Sequence, residues 1–159
     1  MFGFLQDKAS WSKLPAELRQ QLDGDDVIVI AEKVGIVRHL GGHVPGVFSA
    51  SSVARTQGAF AVTTTRVLAT LPTGADPHLR AVDTPWDVPH GPGRITISSN
   101  GVQIDISMRE VDHAFNGSMT LTYKRAITDD QLGKLPATQL WCSIDPTVVY
   151  RAAGVRPRS

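Results

Sequence analysis

His39 and His43 stand four residues apart, the spacing that sets two imidazoles on one helix face as metal ligands. The run that holds them, HLGGHVPG, contains three glycines and a proline, so it reads as a loop, and no third ligand accompanies the pair. Both are expected as exposed loop histidines, with no metal between them. His78, His90 and His113 sit beside Pro, Gly or Asp in turn-like stretches and read as surface residues. Acidic pairs at 25–26 and 129–130 could suggest general acid–base chemistry. Their places, a turn and the first turn of a helix, explain them through turn and helix-dipole preferences instead. Asp105, Glu110 and Asp112 belong to a strand and the loop after it, where solvated carboxylates are ordinary.

Nucleophile arrangements are missing as well. The sequence has no G-x-S-x-G elbow, no G-x-G-x-x-G and no phosphate-binding G-x-x-x-x-G-K-[ST] loop. Cys142, next to Trp141 in an apolar setting, reads as a buried thiol. Binding is what remains. Lys33, Arg38 and Arg55 are the fixed cations across 27–57, with His39 and His43 among them and Glu32 beside Lys33. Arg38, His39, His43 and Arg55 are the candidate binding residues, a sparse set for clustered phosphates.

The totals narrow the class. A chain of 159 residues is expected to form a single domain, 1–159, with no need of disulfide or metal support. One cysteine allows no intrachain disulfide, which points to the cytoplasm. The opening MFGFLQDKAS is too short and too polar for a signal-peptide core, and VIVIA at 27–31 is far too short for a membrane span. Net charge is +1, yet the last nine residues hold three arginines and no acid, leaving 13 bases against 15 acids elsewhere. A slightly acidic body is a poor nucleic-acid binder. Fourteen glycines and ten prolines favour short strands and many turns.

The elements that must position these residues follow from pattern. Ser12 is a candidate N-cap, Pro15 falls in the first turn, and Trp11, Leu14, Leu18 and Leu22 make one apolar helix stripe ended by DGDD. Residues 27–40 read as a strand bent at Gly35, and 41–57 as a long loop in which GVFSASSV could extend a strand. GAFAVTTTRVLATLP at 58–72 reads as a hairpin turning at Thr63–Arg66, with one unbroken amphipathic strand as the alternative. A threonine hydroxyl at the first turn position can accept from free amides, while Arg66 lays its stem on the strands and binds exposed carbonyls. Residues 79–88 make a strand interrupted at Pro85. RITISSNGVQIDIS, 94–107, is a hairpin with Asn100-Gly101 as its two-residue turn, and 117–125 alternates with Met119, Leu121 and Tyr123 on one face. Thr128 and Gln131 form a capping box for a short helix stopped by Pro136. Asp145, Pro146 and Gly154 mark a further helix at 146–153, although Val148, Val149 and Tyr150 would suit a strand equally well.

Gly58, Phe60, Val62, Thr63, Arg66, Val67 and Leu68 give a pattern that resembles the early hairpin of GRAM domains and bacterial pleckstrin-homology-like domains. LPAELRQQLDGDDVIVIAEK is similar to the N-terminal helix, acidic turn and first strand of actinobacterial members, and TPWDV to a strand motif with Trp86 as a core residue. The resemblance covers about 14–135. It implies a mostly β (α+β) fold: a small bent β-barrel or sandwich with an N-terminal helix and a short C-terminal helix that plugs one end. The core is then expected over about 12–136, with 137–159 as a C-terminal extension carrying a basic tail. It also implies a lipid mode built on cations of the first strand and following loop. The expectation is a non-catalytic binding or scaffolding module for a protein partner, without cofactor. The alternatives are a weak binder of anionic lipid or ligand through Arg38, His39, His43 and Arg55, and a hydrolase built on the acids near 105–112.

Overall fold

Alternation of apolar and polar residues, the period-two pattern of a half-buried strand, dominates the chain after residue 26 and dictates an antiparallel sheet. A computed structural model describes residues 13–24, 26–73 and 76–154. Its elements are α1 (Ala16–Asp23), β1 (Val27–Val44), β2 (Val47–Thr63), β3 (Arg66–Thr70), β4 (Arg80–Pro85), β5 (Gly93–Ser98), β6 (Gly101–Ser107), α2 (Met108–Val111), β7 (Asn116–Lys124), α3 (Asp129–Gly133), β8 (Gln139–Cys142) and α4 (Pro146–Ala152). The strands form one antiparallel sheet in the order β4-β3-β2-β1-β7-β6-β5-β8, and β4 approaches β8 so that the sheet nearly closes into a barrel. The expected mostly β barrel with short helices towards both ends is the observed fold.

Phe60, Val62, Ile95, Ile104, Ile106, Met119, Leu121 and Tyr123 fill the interior with Val148 and Val149 of α4. α1 serves a second, smaller cluster: Leu14, Leu18 and Leu22 lie on Ala59, Ala61 and Leu68, the outer face of the first hairpins. The helix is tethered at its start, where the Leu14 amide donates to Glu32 Oε2 at 2.7 Å. It begins at Ala16 with Pro15 as its cap, one step later than a first-turn proline, and the Ser12 and Trp11 expectations fall outside the described residues.

The hairpin at Thr63–Arg66 forms as read. Thr63 Oγ1 accepts from the amides of Thr65 at 3.1 Å and Arg66 at 3.0 Å, so a side chain satisfies donors that the turn leaves over. The Arg66 guanidinium lies 3.8 Å from the Asp83 carboxylate, an ion pair that joins β3 to β4. Trp86 is half-buried and packs against the main core without being enclosed in it; its indole donates to Thr63 O at 2.9 Å, pinning β4's end to the same turn. Trp86→Phe keeps an aromatic ring but removes that donor and part of the packed surface, and should cost at least about 0.5–1.5 kcal/mol in urea denaturation.

Further expectations need correction. Residues 41–57 are not a loop: β1 runs to Val44, Pro45–Gly46 makes the turn, and β2 begins at Val47. The register of β1 against β2 shifts at three places, between Val27 and Val29, Ala31 and Val34, and Leu40 and Gly42; at the second Lys33 takes φ 57°, while Gly35 pairs regularly with Gln57 and Lys124. That bulge carries Glu32 to the start of α1. In the β5–β6 hairpin Ser98 pairs with Gly101, so the two-residue connection is Ser99–Asn100. Gly101 instead lies against β7, where a Cβ would come 2.0 Å from Tyr123 O. Residues 139–152, set outside the core by the sequence reading, supply β8 on the edge of β5 and the buried valines of α4. The helix that packs on the interior is therefore α4; α3, with its Thr128–Gln131 capping box intact, buries none of its residues.

Candidate functional site

β2 leaves its neighbour halfway along. β3 pairs with it only at Phe60–Val62. Beyond that point Thr70 turns its hydroxyl onto the Ala59 amide and carbonyl, at 3.0 and 3.3 Å, closing the ladder with a side chain. The chain then departs through Leu71–Pro72–Thr73, and a cleft opens between it and residues 54–56. The C-terminal end of α4 forms the third wall. The resulting pocket holds about 120 Å³ and is lined by Arg38, Ala54, Arg55, Thr56, Leu71, Pro72, Thr73, Arg151 and Ala152.

Each arginine arrives from a different element. On β1 the inward positions include Val34, Ile36 and Leu40, and strand alternation puts Arg38 on that same face. Its Nη1 donates to Ala152 O at 2.9 Å and its Nη2 to Ser52 Oγ at 3.1 Å. The first contact caps a carbonyl at the negative end of α4, which explains how an arginine is tolerated there. Burial nonetheless lowers the Arg38 pKa from its ordinary value by penalising the charged form. Arg55 is exposed on β2, one register step from the Arg38–Ala54 pair. Arg151 sits one turn after Val148, whose side chain is buried in the core.

No carboxylate pairs with Arg38, Arg55 or Arg151 among the described residues. The Nε atoms of Arg38 and Arg151 are buried and meet no acceptor. Three arginines thus line one small cavity without a paired carboxylate, and arginine is a residue type suited to anions.

The candidates named from sequence separate here. Arg38 and Arg55 come together in the pocket; His39 and His43 do not line it. Both histidines lie within β1 and not in a loop, His39 opposite Thr120 and Val53, His43 opposite Asn116 and Phe48. Sequence reasoning missed Arg151, 113 residues from Arg38 in the chain; the only signal was its place in a helix whose valines point inward.

A second, wider concavity of about 410 Å³ crosses the outer sheet face at Arg94, Asp105, Glu110 and Trp141. Its polar groups answer one another. Arg94 donates to Gln139 at 2.8 Å, Asp105 accepts from Gln103 and Thr120, and Glu110 meets His90 at 3.4 Å. His90 in turn lies tilted against Trp141 with 4.7 Å between centroids. Asp112 accepts from the Ala114 amide. The acids near 105–112 are thus engaged locally, and no nucleophile hydrogen-bonds to His90 among the described residues. No group of three His, Cys, Asp or Glu there is placed to hold a metal ion, and no helix among them is long and apolar enough to cross a membrane. No family model, curated protein or solved structure matches this chain.

Proposed function

We propose that this protein is a non-catalytic binding module that takes a compact anionic group between Arg38, Arg55 and Arg151. One observation carries the reading: Arg38, Arg55 and Arg151 all line one cavity, and no carboxylate among the described residues pairs with any of them. At about 120 Å³ the cavity is well below the ~300 Å³ of a pocket for a whole small molecule. It suits a group on a larger ligand. The likeness to pleckstrin-homology-like domains belongs to the same proposal, and the hairpin at Thr63–Arg66 and the helix laid on the barrel interior support it.

Titration with inorganic phosphate, followed by backbone NMR, tests the site. Saturable shifts are expected at 54–56, 71–73 and 151–152, weakening as salt is added. Arg55→Ala and Arg151→Ala each remove a charge-assisted contact of about 1.5–3 kcal/mol, so each should raise the Kd tenfold or more. Shifts that never saturate, or that survive both substitutions, would sink the reading. Panels of ester, phosphate-ester and nucleic-acid substrates should show no turnover.

A further inference from the structure

The outer face of β5–β8 carries a second group of ordered polar side chains, apart from the arginine pocket. The register sets Trp141, Arg94, Asp105 and Thr120 side by side in one row across the four strands. Gln139, Thr96, Gln103 and Thr122 make the next row along the strands. These two rows hold one base and one acid, directly opposite each other, so the charges cancel. Most of the other groups are hydroxyls and amides, which both donate and accept. The one aromatic, Trp141, is 37 % exposed. Contacts among these groups hold them in place. Arg94 donates to Gln139 at 2.8 Å, and Asp105 accepts from Gln103 at 3.2 Å and from Thr120 at 3.1 Å. His90 braces the Trp141 ring.

We infer that this face binds a neutral oligosaccharide, with one sugar ring stacked on Trp141 and the hydroxyls of the following units held by Arg94, Asp105 and Thr120. A pyranose has a face of C–H bonds that packs on an indole, and vicinal hydroxyls that pair with planar guanidinium, carboxylate and amide groups. Strands about 4.8 Å apart match the advance of one sugar unit in an extended chain, so the row is about three units long. The trough has the room. It holds about 410 Å³ along this row and continues past Pro92, Ser107 and Glu110 into a hollow of about 690 Å³. Nucleic acid fits worse, because Asp105 and Glu110 offset Arg94 and Arg109 and leave no net charge for phosphates. A protein partner fits worse too. Tight interfaces cluster several buried anchors, and Trp141 is the one large exposed hydrophobic residue of this face among the described residues. No residue of the trough lines the arginine pocket, so the inference does not rest on the anion-binding reading.

The experiment titrates the full isotope-labelled chain with the neutral hexasaccharides of cellulose, amylose, mannan and xylan. NMR follows the Trp141 indole resonance, assigned from Trp141→Phe, and the backbone amides. At least one hexasaccharide should give saturable shifts at Trp141 and at 94–96, 103–105 and 120–122, unchanged by added salt because the ligand carries no charge. Trp141→Ala should raise its Kd about tenfold or more. Asp105→Asn keeps the shape of the side chain and weakens its acceptors, so it should weaken binding in the same direction and carries the test if the alanine variant does not fold. The matching monosaccharide, which reaches one unit of the row, should bind far more weakly. Absence of saturation with every hexasaccharide would overturn the inference, as would binding that survives both substitutions or a monosaccharide that binds as well as its hexamer. Tighter binding of a sulfated hexasaccharide, lost on adding salt, would overturn it by assigning the face to anions. Dimerisation with shifts at 139–141 in place of saccharide binding would overturn it by assigning the face to a second copy of the chain.

Discussion

Phe60→Ala is expected to destabilise the fold by about 3–5 kcal/mol, the range for truncating a fully buried aromatic side chain. Phe60 has no exposed surface and lies in the main interior cluster. Its ring meets Tyr123 edge-on at 6.2 Å, and the Tyr123 hydroxyl donates to Thr70 O at 2.7 Å. The two rings thus join β2 to β7 across the interior, while the hydrogen bond ties β7 to the end of β3. Removing the phenyl ring leaves a cavity where both halves of the barrel meet, and the tyrosine cannot fill it without leaving its acceptor. A loss of that size is a large part of a typical domain's ~5–15 kcal/mol. Urea denaturation should show a lower midpoint at an unchanged slope. If the alanine variant does not fold, Phe60→Leu should show a smaller loss in the same direction. A change under about 1 kcal/mol would place the side chain outside the core, against the calibration for buried aromatics.

That prediction stands on a part of the chain whose pattern was legible before any coordinates. Alternation exposed β5, β6 and β7 because each buries one face and wets the other, so Ile95, Ile97, Ile104, Ile106, Met119, Leu121 and Tyr123 mark the interior residue by residue. Local chemistry was equally readable: the capping box at Thr128, the Asp145 cap and the threonine at the hairpin turn each use a side chain within three residues of its partner.

Glycine was harder to interpret, because two physical demands select it. Gly46 serves the turn after Pro45, with φ 95°. Gly42, four residues before, serves close approach: a Cβ there would sit 2.0 Å from Asn116 O on β7. Reading both as turn signals made a loop of what is a paired strand, and it put His39 and His43 on the wrong kind of element. The bulge at Glu32–Lys33 carries no glycine at all, so nothing local announced it. The site shows the same division. Arg38 and Arg55 could be found as cations on neighbouring segments, whereas Arg151 reaches them only through the packing of α4 on the barrel, a long-range consequence of Val148 and Val149 being buried.

Alkaline pH should unfold the protein early, and two buried acids of the core set the window. Burial pushes the Cys142 thiol up to about 12, and it pushes the Tyr123 phenol well above its ordinary range. Below about pH 9 both groups hold their protons in the folded and unfolded chains, and neither affects stability. Above that pH the unfolded chain releases the thiol proton, and above about pH 10 the phenol proton, while the folded chain keeps both. The folded state then binds more protons, so stability falls as pH rises, by about 1.4 kcal/mol per unit for each group. Two units of thiol and one of phenol titration amount to about 4 kcal/mol by pH 11. Urea midpoints measured from pH 8 to pH 11 should trace this decline. Tyr123→Phe and Cys142→Ala should each flatten it, whatever they do to stability at pH 8, because each removes one of the titrating groups. The same burial should leave Cys142 inert to thiol-alkylating reagents at pH 8 until denaturant is added. A slope unchanged by both substitutions would mean that these side chains ionise in the folded protein, and so that the interior is open to water.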